Sequence, residues 1–286
     1  MSKIRGSLEG IGAISPKNVY QFASRTRDAE IPVYRDSVSG VIFIDEFYVG
    51  DDEYKAGTYR DSDEDSPDLE DYNDTQRRTE AFRPFYTGKK VVDYGCGRGS
   101  FLRSIERSTL TASGVELQEN FREALEKDGI RCVGNLDELM GQQNTVFMFH
   151  VLEHLPDPLS SLREIRELLH PVDGTLIVEV PNANDLLINQ LSCEAFIEFT
   201  LWSQHLVLHT RDSLRRLLLA AGFSHVEIIG VQRYSLANHL TWLSSGKPGG
   251  HKSALSILET ASIKEAYELA LASQDSTDTI IAIANR

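Results

Sequence analysis

Two short stretches of this 286-residue chain carry residue types that do chemistry. The first is Asp93-Tyr94-Gly95-Cys96-Gly97-Arg98-Gly99, where three glycines alternate directly behind an apolar run. Glycine reaches backbone angles closed to other residues and lets a ligand approach the main chain. A loop of this kind between a strand and a helix lies where open α/β sheets bind their ligands. A dinucleotide loop spaces its glycines G-x-G-x-x-G and turns a helix N-terminus toward a pyrophosphate. Here the spacing is G-x-G-x-G, and Asp93 stands immediately ahead of it. A carboxylate aimed into the loop repels a pyrophosphate and suits an amine or a sulfonium. Glu116 closes the next apolar run and can accept both hydroxyls of a ribose. That role is shared with dinucleotide folds, so Glu116 alone does not choose between the two ligands.

The second stretch is Phe149-His150-Val151-Leu152-Glu153-His154-Leu155-Pro156-Asp157-Pro158. Histidine changes charge near neutral pH and is the commonest general base. His150, His154 and His205 are the candidates, and His154 ranks first because it follows the fourth strand at the ligand edge of the sheet.

The elements that must position these residues alternate in type. Apolar strand patterns cover 91–94, 111–116, 130–133, 145–149 and 175–180, with helical patterns between them. Asp157 followed by Pro158 starts a helix whose apolar face is Leu159, Leu162, Ile165, Leu168 and Leu169. Thr210 caps another helix, which ends at Gly222. A sixth strand is expected at 226–229, a helix over about 253–272, and a final strand at 279–284. Repeated βα units imply a parallel sheet with helices on both faces. Ahead of them, Ile31–Tyr34 and Val41–Ile44 flank Ser39-Gly40 as a small hairpin. An acidic stretch from Asp51 through Asp61–Asp65 to Asp74 follows, with Tyr54, Tyr59 and Tyr72 among the charges. It reads either as a solvated loop or as a lid-like segment that orders over a ligand.

Charge is 29 Lys+Arg against 43 Asp+Glu, a net of −14. That argues against broad phosphate neutralisation, so no nucleic-acid partner is expected. No apolar run reaches the ~18 residues of a membrane span, and the first residues lack the apolar core of a signal peptide. Cys96, Cys132 and Cys193 form no CxxC pair, so neither a disulfide framework nor a structural zinc cluster is indicated. A cytoplasmic location with reduced thiols is the expectation; oligomeric state is left open.

The glycine loop with Asp93 resembles the first motif of class I S-adenosylmethionine-dependent methyltransferases. The His150–Pro158 stretch looks like the post-strand segment of the small-molecule branch that includes ubiquinone-biosynthesis enzymes. Leu169-His170-Pro171-Val172-Asp173-Gly174-Thr175-Leu176 and Val180-Pro181-Asn182 fit the same branch, and the resemblance covers about residues 75–232. It implies an α/β, doubly wound, mostly parallel seven-stranded sheet of the Rossmann-like kind. The domain would span 89–286 behind an N-terminal extension, 1–88, with 181–210 and 232–252 as substrate-binding insertions. The cofactor implied is S-adenosyl-L-methionine, leaving as S-adenosyl-L-homocysteine. Asp93, Gly95, Cys96 and Gly97 would cradle its methionine part and Glu116 the ribose. Leu117, Asn135 and Leu136 would flank the adenine, and His150 would lie under the sulfonium.

Trp202 and His205 would line the acceptor pocket. Tyr234, Asn238 and Lys247 would bind a polar, sugar-like or phosphorylated small molecule. In the ubiquinone branch a similar segment binds a divalent ion, but here His150 replaces its first carboxylate, and no metal is expected. No cysteine precedes Cys96, so the zinc module of related sugar C-methyltransferases is missing, and O- or N-methylation is favoured. The acceptor expected is a sugar, a nucleotide sugar or a cell-envelope precursor. An NAD-type oxidoreductase and an inactive, methyltransferase-like binding subunit are the competing readings.

Overall fold

The computed structural model describes residues 3–45, 47–56, 69–139 and 141–286. Eleven strands are named among them: β1 (Val19–Ala23), β2 (Val33–Asp36), β3 (Ile42–Ile44), β4 (Lys90–Tyr94), β5 (Thr111–Val115), β6 (Arg131–Val133), β7 (Thr145–Phe149), β8 (Thr175–Pro181), β9 (Val207–Leu208), β10 (Ser224–Val231) and β11 (Thr279–Asn285). Seven form one sheet in the order β6-β5-β4-β7-β8-β11-β10. The pairs from β6 through β8 are parallel, and β11 runs antiparallel between β8 and β10. This is the mostly parallel seven-stranded sheet expected. Every residue of β7 is buried, as are the first six of β8, which is why both read as unbroken apolar runs.

Helix punctuation follows the sequence closely. Asp157 accepts the Ser160 amide ahead of the helix Pro158–Leu168, and Thr210 accepts the Ser213 amide ahead of Arg211–Ala220. One element differs. The helix expected over about 253–272 is split into a 3-10 turn, Ala254–Leu258, and a helix, Ala261–Ser273. Thr260 causes the break, because its hydroxyl caps the second piece by accepting the Ile263 amide.

The N-terminal region builds a second sheet, β1-β2-β3-β9. The hairpin forms as β2 and β3, and Asp36 braces its turn by accepting the Val38 and Ser39 amides at 2.8 Å each. Strand β9 comes from the connection after β8, so N-terminal and mid-chain residues share one sheet. Of the acidic stretch, residues 57–68, with Tyr59 and Asp61–Asp65, lie outside the described residues. The helix Asp51–Ala56 carries Tyr54, and the helix Leu69–Ala81 brings Tyr72 to an exposed position. Among the described residues no helix is long and apolar enough to cross a membrane.

One face of the large sheet is filled by aromatic rings. Phe147 lies 5.0 Å from Phe101, 5.5 Å from Phe149 and 5.9 Å from Phe82, centroid to centroid. These contacts hold β7 against the helices on that face. Replacing Phe147 by alanine should lower the unfolding free energy by about 3–5 kcal/mol in a denaturant titration. A loss under 1 kcal/mol would mean that the cluster collapses to fill the space.

Candidate active site

The glycine loop leaves β4 with Gly95, Gly97 and Gly99 at φ of 75°, 53° and 73°. A Cβ on Gly95 would come within 2.4 Å of a Val151 methyl, and one on Gly99 within 2.3 Å of a Leu125 methyl. The loop is therefore packed hard from behind. A Cβ on Gly97 would meet nothing within 4 Å, so the middle of the loop faces open space. Glu116 laces the loop to β5: its carboxylate accepts the Gly97 amide at 2.8 Å and the Gln118 amide at 2.9 Å. Each carboxylate oxygen keeps further acceptor capacity, as a ribose contact requires.

Asp93 is buried beneath the loop. Burial pushes its pKa up to about 7; the Arg78 charge opposes the rise and Glu116 adds to it. A buried carboxylate so poised favours a cationic ligand, which would restore its charge. The Cys96 sulfur turns inward to Cys132 at 3.7 Å, and a Cβ on Gly114 would come within 2.6 and 2.9 Å of the two sulfurs. Leu117 is partly exposed beside the loop. Asn135 is exposed and Leu136 half-buried, on a turn where Glu138 accepts the amides of Gly134 and Asn135.

The other half of the site begins at His150, which follows β7 with φ 55°. Left-handed geometry at a non-glycine residue is strained and persists where surroundings enforce it. Here the His150 amide donates to the Glu179 carbonyl at 2.8 Å. Its ring lies between two fully buried carboxylates, with Nδ1 3.2 Å from Glu153 and Nε2 3.2 Å from Glu179. Burial and Arg233 favour neutral His150, but the two carboxylates outweigh them and its pKa is raised. Glu179 also accepts Arg77 and Arg78, each at 2.7 Å. Burial would raise the Glu179 pKa, yet Arg78, His150 and Arg77 hold it well below the usual range. Arg233, on the connection after β10, pairs with Asp74 at 2.5 Å, and Asp74 also accepts Arg77 at 3.0 Å.

Past His150 the chain turns to His154. Its Nδ1 lies 2.8 Å from the Gln204 carbonyl and 3.4 Å from the Tyr54 hydroxyl. A carbonyl only accepts, so Nδ1 carries the proton and the basic lone pair is on Nε2. The His154 ring stands 5.0 Å from His205, 5.8 Å from Trp202 and 6.1 Å from Tyr54. Burial lowers the His205 pKa to about 3, so His205 is neutral in ordinary conditions. Burial pushes Glu153 up, but the His150 hydrogen bond and the neighbouring imidazoles bring it down to about 2. One ligand atom each from Glu153, His154 and His205 falls within 4.8 Å of the others. This corner can hold a proton or a cation.

The N-terminal sheet fixes the corner. Ile44 donates to the Leu206 carbonyl at 2.9 Å, and Leu206 donates to the Glu153 carbonyl at 2.7 Å. Asp28 accepts the Ser203 amide and hydroxyl at 3.0 and 2.6 Å. Arg27 lies over Trp202, 5.0 Å from its centroid.

Thus the structure brings His150, His154, His205 and Trp202 together. Tyr234 and Asn238 stand on the β10 connection, the first with its amide on Asp278 and the second in the first turn of the helix Leu236–Ser245. Lys247 is exposed beyond that helix. Arg77, Arg78, Glu179 and the Gln204 carbonyl escaped the sequence reading. Glu179 did leave a signal: it is a lone carboxylate inside Thr175-Leu176-Ile177-Val178-Glu179-Val180.

A family model described as a methyltransferase domain matches residues 70–228. The chain belongs to that family, the class I S-adenosylmethionine-dependent methyltransferases. It is 26% identical over 174 residues to a ubiquinone biosynthesis O-methyltransferase of Psychrobacter arcticus, covering 55% of this chain and 67% of that one. The Escherichia fergusonii enzyme of the same name is 36% identical over 110 residues, 34% of this chain and 45% of the relative. The chain spans about half the length of most curated relatives it matches. Among solved structures, a SAM-dependent methyltransferase from Archaeoglobus fulgidus aligns with a TM-score of 0.52 at 19% identity, over 74% of this chain and 92% of that one. A Haemonchus contortus phosphoethanolamine N-methyltransferase 2 aligns with 0.51 at 14% identity, over 86% and 61%. These two likenesses concern the fold.

The His150 environment predicts a pH signature. A raised folded pKa stabilises the native state fully below the unfolded value of about 6.5, and that stabilisation is lost as pH rises through the folded value. Chemical denaturation from pH 6 upward should therefore show stability declining in the wild type, and a shallower decline in His150→Gln. Parallel curves would rule out a protonated His150 in the native state.

Proposed function

We propose that this chain moves the methyl group of S-adenosylmethionine to a hydroxyl oxygen of a small polar acceptor, of the sugar, nucleotide-sugar or envelope-precursor class. The observation that carries this reading is the 2.8 Å contact between His154 Nδ1 and the Gln204 carbonyl, which in the neutral ring puts the proton on Nδ1 and the basic lone pair on Nε2. The curated relatives are O-methyltransferases by name, which favours oxygen as the acceptor atom.

The residues present fit the donor. Open space at Gly97 and a buried Asp93 that lacks full compensation suit an amino acid with a positive charge. Asp93 and the backbone around Gly95–Gly97 would hold that end, Glu116 the ribose, and Leu117, Asn135 and Leu136 the adenine. Bound there, S-adenosylmethionine supplies a methyl group already activated by its sulfonium.

The protein's task is then alignment and proton removal. His154 Nε2 takes the hydroxyl proton. Glu153, ionised beside it, stabilises the imidazolium that forms. His205 stays neutral, and with Trp202 and Tyr54 it walls the corner with rings that exclude water. Both nitrogens of His150 face carboxylates, so it orients the segment rather than serving as base.

His154→Ala should reduce turnover by about 10²–10⁴-fold with little change in S-adenosylhomocysteine affinity. Turnover should survive exhaustive chelation. If chelation abolished it and a divalent ion restored it, Glu153, His154 and His205 would be a ligand set instead.

Asp93 provides an independent check. Its charge is lost as pH falls through about 7, so affinity for S-adenosylmethionine should fall below that pH, by up to about tenfold per unit. Calorimetry with Asp93→Asn should find weak, pH-independent binding. Full affinity in that variant would remove Asp93 from the donor site.

A further inference from the structure

The helix Leu69–Ala81 carries an arrangement that methyl transfer itself does not use. Arg77 turns one nitrogen, Nη2, to Asp74 and Glu179 at 3.0 and 2.7 Å. Its Nε and Nη1 are buried and have no hydrogen-bond partner among the described residues. A guanidinium cannot shed its charge, and its buried donors are costly when unmet. Arg78 and Arg233 join Arg77, so three guanidiniums meet around Asp74 and Glu179, both held below the ordinary carboxylate range. Asp278, the next carboxylate, accepts the Arg233 and Tyr234 amides at 2.9 and 3.0 Å. Of the three guanidiniums, Arg77 is the one with buried donors unmet among the described residues, in a chain whose net charge is −14.

The place is as telling as the unmet donors. Glu179 ends the buried part of β8, and its Oε1 lies 3.2 Å from His150 Nε2. Arg77 is therefore one ion pair from the strand tip that leads to His154. Arg78 stands over Phe149, 4.3 Å from its centroid, and within electrostatic reach of Asp93.

We propose that the acceptor bears an anionic group, a carboxylate or a phosphate, and that Arg77 grips it. This rests on the methyl-transfer reading of the adjoining crevice. It moves the anion contact from Lys247, which is exposed, to a buried guanidinium. Arginine suits the task because its planar head offers several fixed donors to such a group. With the anion on Arg77, the acceptor's hydroxyl is presented toward the His154 corner, and neutral analogues leave the Arg77 donors unmet.

The test uses the full chain saturated with S-adenosylhomocysteine and titrated by calorimetry with inorganic phosphate, benzoate and, as a neutral control, benzyl alcohol. At least one anion should bind saturably, and which one does so separates a phosphorylated acceptor from a carboxylic one. Arg77→Gln should weaken that binding about tenfold or more, with Arg77→Lys in between. Glu179 keeps Arg78 and His150 in both variants, and the lysine form tests the point if the glutamine form fails to fold. S-adenosylhomocysteine affinity should stay within about twofold of wild type. No saturable anion binding, or equal binding in the variants, overturns the proposal. So does a matching loss of S-adenosylhomocysteine affinity that 5′-methylthioadenosine does not show, because the anion on Arg77 would then be the donor's carboxylate. Failure of wild type to bind S-adenosylhomocysteine at all would instead sink the methyl-transfer reading itself.

Discussion

A carboxylate with no solvent exposure at the tip of a central strand stays ionised only if cations come to it. Glu179 is that carboxylate, and much of the acceptor side can be understood as its coordination. Arg77 and Arg78 reach it from the helix Leu69–Ala81, which pins that helix over the strand tips. His150 reaches it from β7, and the strained φ of 55° is the backbone's share of that contact. The second nitrogen of His150 then fixes Glu153, whose neighbour is His154. Removing one partner from such a buried set costs about 3–5 kcal/mol, whereas an exposed pair is worth under 1. The ordering of the acceptor corner is thus tied to one charge placed where apolar residues would otherwise run on.

The donor side depends on a different balance. Gly95 and Gly99 are packed from behind by Val151 and Leu125, so the loop cannot move back, and its open side at Gly97 is where the proposed donor would lie. Two carboxylates would serve that opening under opposite conditions. Glu116 is satisfied by two backbone amides and is a fixed acceptor. Asp93, pushed up to about 7 by burial, is a variable one whose charge a cationic ligand would consolidate. A site that held two fully ionised carboxylates would repel its own halves when empty; this division avoids that.

How much of this could be read in advance depended on the range of the interaction. The donor loop was legible because its chemistry is local: glycine spacing, a preceding carboxylate and a strand before it. Helix starts at Asp157 and Thr210 were legible for the same reason. Strand β9 was not, because two residues carry no periodicity and its pairing with β3 is decided by partners more than 160 positions earlier in the sequence. Arg77 and Arg78 carry no local signal, because their role depends on Glu179, about a hundred positions later in the sequence. The orienting partner of His154 is a backbone carbonyl, that of Gln204, which no residue type announces. The overlong helix from 253 arose from ignoring Thr260 as a cap. Glu179 was the one missed residue with a visible signal, since a charge inside a buried parallel strand is an anomaly that needs a reason.

The N-terminal sheet supplies the last element of the argument. The series Ile44 to Leu206 to Glu153 is a chain of backbone hydrogen bonds running from β3 to the His154 segment. Asp28 and Arg27 hold the same connection at Ser203 and Trp202. Residues from the N-terminal region therefore set the position of the wall that an acceptor would meet, while the glycine loop and Glu116 hang on β4 and β5. The two halves meet at Val151, which backs Gly95 and stands in the same turn as Glu153 and His154. Under the methyl-transfer reading, substitutions around β1–β3 would reach the acceptor corner through the 201–208 connection before they reach the loop beyond β4.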